Sequence, residues 1–336
     1  MAHIGIIGLG TMGRVHYEAY QSISSAKVVS ISDADPKRAA GDLAGTAGNI
    51  SSGGIRHLPM QSIRGYTDWK QLIQSPEVEI VDICLPTPAH RDVALAALAA
   101  GKHVICEKPM ARTSSDARLI AEASKTSAGY FMPAMCTRFW PGWTWLKEAV
   151  ADQRFGKVLA ATFRRVASMP AGWYSDGAAS GGALLDLHIH DVDFICYLFG
   201  KPAQVYSRGY SKSGVGIDHC LTQYLYPKGP LITAEGGWAM SNGFGFSMRF
   251  CVNFENATAD FDFARPQPLL LHHADRTESI PIAAGGGYVG ELAYFIDCVE
   301  RKSRPTIVTA EDGVLSVQVC EAEERSIKDG KLVDLS

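Results

Sequence analysis

The sequence predicts an α/β chain in two parts. The first is a doubly wound parallel sheet. The second is a domain whose strands follow one another without helices between them, and so pair in an antiparallel or mixed sheet. Three observations carry this. From residue 2 to about 127, short apolar strands (2–7, 27–32, 80–85, 103–106) alternate with helical stretches (11–21, 36–43, 67–74, 89–100, 114–127), the rhythm of βαβ units. After about 138, seven strand-like runs (158–165, 203–210, 218–226, 231–238, 245–251, 257–263, 269–272) are separated by Gly, Pro, Ser and Asn. A length of 336 residues, 46% hydrophobic and 20% charged, is enough for two buried cores.

The elements have local reasons. The first strand runs into Gly8-Leu9-Gly10-Thr11-Met12-Gly13 and then a helix. Gly8 makes a tight turn, Gly10 lets the backbone approach a pyrophosphate, and Gly13 lets helix and strand pack closely. Thr11 and Met12 open the helix, whose first N–H groups and positive dipole end suit phosphates. The second strand ends at Asp33, 25 positions after Gly8, near the spacing of the acid that holds a dinucleotide ribose. A glycine-rich β–α turn with an aspartate helix cap is the competing reading. Residues 45–65 break the alternation, and Gly48-Asn49-Ile50-Ser51-Ser52-Gly53-Gly54 reads as a turn-rich insertion. Gly101 ends the helix over 89–100. Val104-Ile105-Cys106 is a buried parallel strand. Pro109 keeps Lys108 extended, and ligands sit beyond the carboxyl ends of such strands. Lys108 is therefore expected to point into a site; a surface Lys-Glu pair is the alternative. A further strand covers 130–135.

Residues 183–199 read as one helix, apolar almost all round, which marks it as buried. Its one polar stripe is Asp186, His190, Asp193 and Tyr197, at i, i+4, i+7 and i+11. A solvated stripe would carry Lys, Glu or Arg; this one carries none, so it is expected to face a cavity. Asp186 and His190 are one turn apart and can interact. His188 and Asp191 lie well round the helix from that pair. An HxH on a helix cannot converge on one ion, so no metal is expected. Helices over 290–301 and 311–328 close the chain, the second stopped by Gly330.

Composition excludes several classes. Net charge is −3 and no run of basic residues appears, which argues against nucleic acid. No 18-residue apolar span and no leader pattern are visible, so a cytoplasmic protein without membrane contact is expected. The eight cysteines form no CxxC pair and read as buried free thiols in a reducing compartment.

Taken together, these pieces resemble the Gfo/Idh/MocA family of nicotinamide-dependent oxidoreductases, nearly end to end. The resemblance rests on Gly8–Gly13, Asp33, Leu85-Pro86-Thr87-Pro88-Ala89-His90, and Gly101-Lys102-His103-Val104 leading to Glu107-Lys108-Pro109. It continues through Thr137-Arg138-Phe139, Trp173-Tyr174, Gly181-Gly182-Ala183-Leu184-Leu185-Asp186, His190 and Tyr288…Glu291-Leu292…Phe295-Ile296…Pro305. It implies a Rossmann domain over 1–127. It also implies a substrate-binding and oligomerisation domain over 128–336, an α/β domain with a large open, mostly antiparallel sheet. The C-terminal helix is expected to pack back on the first domain. Cofactor contacts are expected at Gly8, Gly10, Thr11, Met12, Gly13, Asp33, Leu85, Thr87, Pro88, His90, Glu107 and Lys108. By position, Lys108, Asp186 and His190 inherit places beside the nicotinamide. Two departures stand out: the insertion at 48–63 is longer than expected, and His188 stands where many members have glycine.

Asp33 favours NAD over NADP because a carboxylate repels a 2′-phosphate, while Lys37 and Arg38 leave NADP possible. Oxidising a secondary alcohol needs a base for the hydroxyl proton and a donor for the developing alkoxide. His190, with an unperturbed pKa of ~6.5, suits the first task, and Asp186 would fix its tautomer. Lys108 would donate to the substrate oxygen or act as the base itself. Arg138, Arg165, Trp173, Tyr174 and Tyr288 are candidate substrate residues, a mixture of donors and aromatics that suits a sugar, inositol or related polyol. The same chemistry runs in reverse as ketone reduction. An NAD-dependent glycoside hydrolase and a non-catalytic cofactor-sensing regulator are the other classes. The helices are too few to cover both faces of the second sheet, so a homodimer or homotetramer through that sheet is expected.

Overall fold

The computed structural model describes residues 1–44, 54–170, 172–212, 214 and 216–335. Most of the insertion read at 48–54 thus lies outside the described residues. The chain divides into two compact units, Met1–Cys136 with Gly286–Val314, and Thr137–Gly285 with Leu315–Ser336.

The first unit holds strands β1 (Ala2–Ile7), β2 (Ala26–Ser32), β3 (Arg64–Tyr66), β4 (Ile80–Ile83), β5 (His103–Glu107) and β6 (Phe131–Ala134). Between them run α1 (Thr11–Tyr20), α2 (Pro36–Ala39), α3 (Trp69–Gln74), α4 (His90–Ala99) and α5 (Ser114–Thr126). The strand order is β3-β2-β1-β4-β5-β6, and every pair is parallel. The order reverses between β1 and β4, and the crevice at the carboxyl ends of those two strands is where such sheets take dinucleotides. Ile4, Ile6, Ile80, Val81, Ile83, Val104 and Ile105 are all completely buried. Strands covered on both faces need such unbroken apolar runs, and each of these side chains contributes about 1.5–3 kcal/mol by leaving water. Asp82 is the exception within β4 and is also fully buried.

The second unit opens with α6 (Pro141–Ala151), a helix that the strand pattern passes over. Pro141 occupies its first turn, where a missing N–H costs nothing. The strands are β7 (Val158–Ser168), β8 (Gln204–Tyr210), β9 (His219–Leu225), β10 (Leu231–Met240), β11 (Phe246–Phe254), β12 (Thr258–Asp262), β13 (Leu269–His272), β14 (Thr277–Ser279) and β15 (Val333–Asp334). They form one nine-stranded sheet, β14-β13-β12-β11-β7-β10-β9-β8-β15. Only β7 and β10 pair in parallel, so the sheet is mixed and mostly antiparallel. The register runs one row through Ser207, Thr222, Ala234, Phe163, Phe250, Phe261 and Leu269, and every member is buried. The adjacent row, Arg208, Leu221, Glu235, Arg164, Arg249 and Asp262, points the other way and is exposed or half-buried. The sheet thus has one packed face and one open face.

The expected single helix over 183–199 is two segments. Leu184–His188 is a π-helical turn and α8 (Ile189–Phe199) follows it. The short α7 (Gly177–Ser180) precedes both. Near the end come α9 (Gly287–Glu300) and α10 (Ala310–Asp329). Among the described residues no helix is long and apolar enough to cross a membrane.

Candidate active site

The glycine loop of the first unit behaves as its spacing predicts. Gly8 has φ +92°, and a Cβ there would stand 2.6 Å from the Cys84 carbonyl oxygen. A Cβ at Gly13 would fall on the Gly8 carbonyl oxygen, so helix and strand touch backbone to backbone. Gly10 differs: its backbone is extended and a Cβ would meet nothing within 4 Å. Nothing among the described residues demands a glycine there, and the spacing gives it a use in the close approach of a ligand. Gly10 caps α1 without a side-chain hydrogen bond, and the first turn, with Thr11 and Met12, carries no acid. Such a helix start accepts a pyrophosphate. Asp33 closes the loop from β2: its Oδ2 accepts the Leu9 N–H at 2.8 Å and its Oδ1 the Asp35 N–H at 2.9 Å. Arg38 Nη1 is 3.6 Å from the same carboxylate. These residues fit a bound dinucleotide.

At the end of β4, Leu85 is half-buried, Thr87 buried and Pro88 exposed. His90, expected at the cofactor, is buried with both ring nitrogens against backbone carbonyls. Nε2 is 2.7 Å from Leu85 O and Nδ1 2.9 Å from Pro109 O. Burial lowers its pKa against the pull of those carbonyls. Glu107, expected among the cofactor contacts, faces inward. Its Oε1 is 3.1 Å from His16 Nε2, and its Oε2 accepts the Lys108 N–H at 2.9 Å. Lys108 is half-buried at the strand end. Tyr288 opens α9 with its ring centroid 6.3 Å from that of His16. Burial, with Cys136, Glu107 and Glu291 nearby, pushes its hydroxyl well above the usual range.

In the second unit the polar stripe divides. Asp186 is buried in the π-turn and His190 is half-buried on the first turn of α8. Thr137 Oγ1 lies 3.4 Å from His190 Nδ1. Further along, Asp193 accepts from Arg138 Nε at 2.8 Å and Nη2 at 2.6 Å, and from Ser316 Oγ at 3.2 Å. The Tyr197 ring lies under Arg138 at 4.3 Å and Lys147 at 3.9 Å. Arg165 forks onto Asp191, Nε–Oδ2 3.0 Å and Nη2–Oδ1 3.2 Å. Both candidate substrate arginines are thus buried in ion pairs within this unit. Trp173 and Tyr174, half-buried, sit on one 3₁₀ turn with ring centroids 4.5 Å apart. Tyr174 meets Trp238 edge-on at 6.4 Å. His188 is fully buried. Its Nε2 is 3.1 Å from Tyr224 Oη, which donates to Glu323 Oε1 at 2.6 Å.

Sequence reasoning missed the buried cluster around His16. His16 Nδ1 lies 2.9 Å from Asp82 Oδ2, Tyr20 donates to that oxygen at 3.0 Å, and Cys84 Sγ donates to Asp82 Oδ1 at 3.4 Å. His16, Asp82 and Cys84 are all buried ligand-type residues, but here their polar atoms engage one another. A charged residue inside the run Ile80-Val81-Asp82-Ile83 was the available signal, because a buried acid needs a partner.

Comparison with known proteins follows the same division. Residues 2–134 match the profile described as oxidoreductase family, NAD-binding Rossmann fold, and residues 143–260 match the GFO/IDH/MocA C-terminal domain. The myo-inositol 2-dehydrogenase of Thermotoga maritima is 27% identical across 99% of this chain and 98% of its own length. The 1,5-anhydro-D-fructose reductase of Ensifer adhaerens is 25% identical across 98% of each. A levoglucosan dehydrogenase solved with NADH superposes with a TM-score of 0.86 at 22% identity, covering 100% of this chain and 99% of that one.

Proposed function

The chain belongs to the Gfo/Idh/MocA oxidoreductase family, and on that premise we propose that it transfers a hydride between NAD and a secondary alcohol or ketone of a sugar, inositol or related polyol. One observation carries the reading: an uncapped helix start beside Gly10, which no neighbour in the fold requires to be glycine, on a loop held by Asp33. Gly8, Gly10, Gly13 and the first turn of α1 would hold the pyrophosphate, and Asp33 the ribose. When bound, NAD supplies the hydride acceptor or donor.

The chain's own residues handle the proton and the substrate oxygen. His190 takes the hydroxyl proton, its ring oriented by Thr137 3.4 Å from Nδ1, and Asp186 one turn earlier favours the imidazolium that results. Lys108 donates to the substrate oxygen and stabilises its developing charge. Trp173, Tyr174 and Tyr288 supply aromatic surface to a polyol ring. Arg138 and Arg165, paired with Asp193 and Asp191, act as scaffold.

A screen of sugars, inositols and polyols with NAD⁺ and NADP⁺, following absorbance of the reduced cofactor, tests the reading. Lys108→Met and His190→Ala are expected to lose turnover and keep cofactor binding. Near-normal turnover in both removes the residue assignments. Cleavage of aryl glycosides without net NADH, or tight NAD binding with no turnover on any polyol, replaces the reaction.

A second copy is proposed to cover the open sheet face, where Leu221 and Leu231 stand exposed at 54% and 69%, giving a homodimer or homotetramer. A monomer by light scattering at micromolar concentration would count against this. Among the described residues no disulfide forms, and seven of the eight cysteines are buried, which supports the cytoplasm as the compartment.

A further inference from the structure

The backbone at Lys108 is held by buried side chains that the glycine loop does not account for. The Lys108 N–H donates to Glu107 Oε2 at 2.9 Å. The other oxygen of that carboxylate is 3.1 Å from His16 Nε2. The far nitrogen of the imidazole is 2.9 Å from Asp82 Oδ2. A short path therefore runs from α1, the helix whose start is read as the pyrophosphate site, to the proposed catalytic lysine just beyond the end of β5. His16 and Asp82 are completely buried and Glu107 nearly so. On the carbonyl side, His90 holds Pro109 O at 2.9 Å.

The chemistry of the path is specific. A buried carboxylate without a counter-charge takes up a proton and loses much of its strength as an acceptor. Burial works to raise Glu107, and His16 beside it outweighs that and holds the carboxyl below its ordinary range. Burial works to lower His16, and Asp82 outweighs that in turn. Glu291 from α9 is 4.0 Å from His16 Nε2. Burial, with Glu107 and Asp82 nearby, raises its carboxyl well above the ordinary value, which weakens it as a rival of Glu107 for the imidazole.

We propose that His16 is a positioning residue for Lys108: by pairing with Glu107 Oε1 it fixes the carboxylate whose other oxygen holds the Lys108 amide, and so sets the direction in which the lysine leaves the sheet. The inference rests on the reading of Lys108 given above. It also makes α1 the common support of cofactor and lysine.

The test uses His16→Gln, Glu107→Gln and the double variant, with Lys108→Met alongside. Hydrogen exchange at the Lys108 amide reads the link without any substrate. It is expected to accelerate about tenfold or more in His16→Gln, while amides of β4 and the first turn of α1 keep their protection. In the polyol assay, His16→Gln is expected to lower kcat about tenfold with KM and the NADH Kd within about threefold. Adding Glu107→Gln should restore slow exchange and most of kcat, because two amides satisfy one another without charge. A residue that only filled space would show no such rescue. Unchanged exchange and kcat in His16→Gln, or losses that multiply in the double variant, overturn the proposal. If His16→Gln does not fold, Glu107→Gln alone decides: fast Lys108 exchange with an unchanged NADH Kd supports it, and slow exchange refutes it. Normal turnover in Lys108→Met sinks the reading of the lysine; an inert Lys108→Met beside an unaffected His16→Gln sinks only the role of His16.

Discussion

His188 and Gly236 share a space that only a glycine leaves open: a methyl on Gly236 would fall on His188 Nδ1 and within 2.6 Å of His188 Cβ. Gly236 lies on β10, opposite Cys220 of β9 and Arg165 of β7. The imidazole lies against the sheet at that point and reaches Tyr224 Oη at 3.1 Å. Gly236→Ala is therefore expected to destabilise the protein by about 2 kcal/mol through overpacking. Combining it with His188→Ala should return part of the loss. Urea unfolding of the four proteins in the cycle measures both terms.

Arg138 and Asp193 form a bidentate pair with both side chains only 1% exposed. Two hydrogen bonds and the Tyr197 ring hold the guanidinium. Removing one charge leaves the other buried and uncompensated. Asp193→Asn is expected to cost about 3–5 kcal/mol, read by urea denaturation. The NADH Kd should stay within about twofold, because the glycine loop and Asp33 belong to the other unit. A loss of polyol affinity with unchanged stability would instead make Arg138 a substrate residue.

Local features were legible in the sequence and distant partners were not. The strand, glycine turn and helix over 2–20 lie within one stretch of chain, and the steric reasons for Gly8 and Gly13 are visible in their spacing. The periodicity of 183–199 marked a buried helix with polar residues, because 3.6 residues per turn is local information. It could not show that Leu184–His188 winds as a π-turn, nor that Asp191 and Asp193 are claimed by arginines 26 and 55 positions away. His16 sits 66 positions from Asp82 and is approached by Glu291 from α9. Nothing near His16 in the chain announces either acid. Polar side chains in the core find their partners through topology, and that is why the buried networks escaped while the cofactor loop did not.

Glu291 sets a pH dependence of definite sign. Burial first, then Glu107 and Asp82, raise its carboxyl in the folded protein, and His16 only partly opposes them. A folded-state pKa above the unfolded value of ~4.3 gives stability that is complete below that value and is lost as pH rises toward the folded value. Glutamine copies the neutral acid and does not titrate. Relative to the parent, Glu291→Gln should therefore gain stability with pH, by about 1.4 kcal/mol per unit above pH ~4.3 until the folded carboxyl ionises. Chemical denaturation from pH 4 to pH 8 checks the slope. A flat difference would mean the carboxylate is ionised in the native protein.

Asp33 decides between two cofactors only if its charge faces the ribose as well as the loop. Both oxygens already serve the backbone, at Leu9 N and Asp35 N, and Arg38 stands 3.6 Å away. Asparagine offers one carbonyl oxygen for two amide donors and presents an NH₂ to the other, so the loop loosens even without a ligand. Losing one charge-assisted hydrogen bond is worth about 1.5–3 kcal/mol, which predicts an NAD Kd weaker by about tenfold or more. The same change removes the repulsion toward a 2′-phosphate, and Arg38 is then left to attract it. The ratio of NADP to NAD affinity should therefore rise in Asp33→Asn beyond the common loss. Calorimetric titration with both cofactors separates the two effects. Equal weakening of both would assign Asp33 to the loop alone and leave selectivity to another residue.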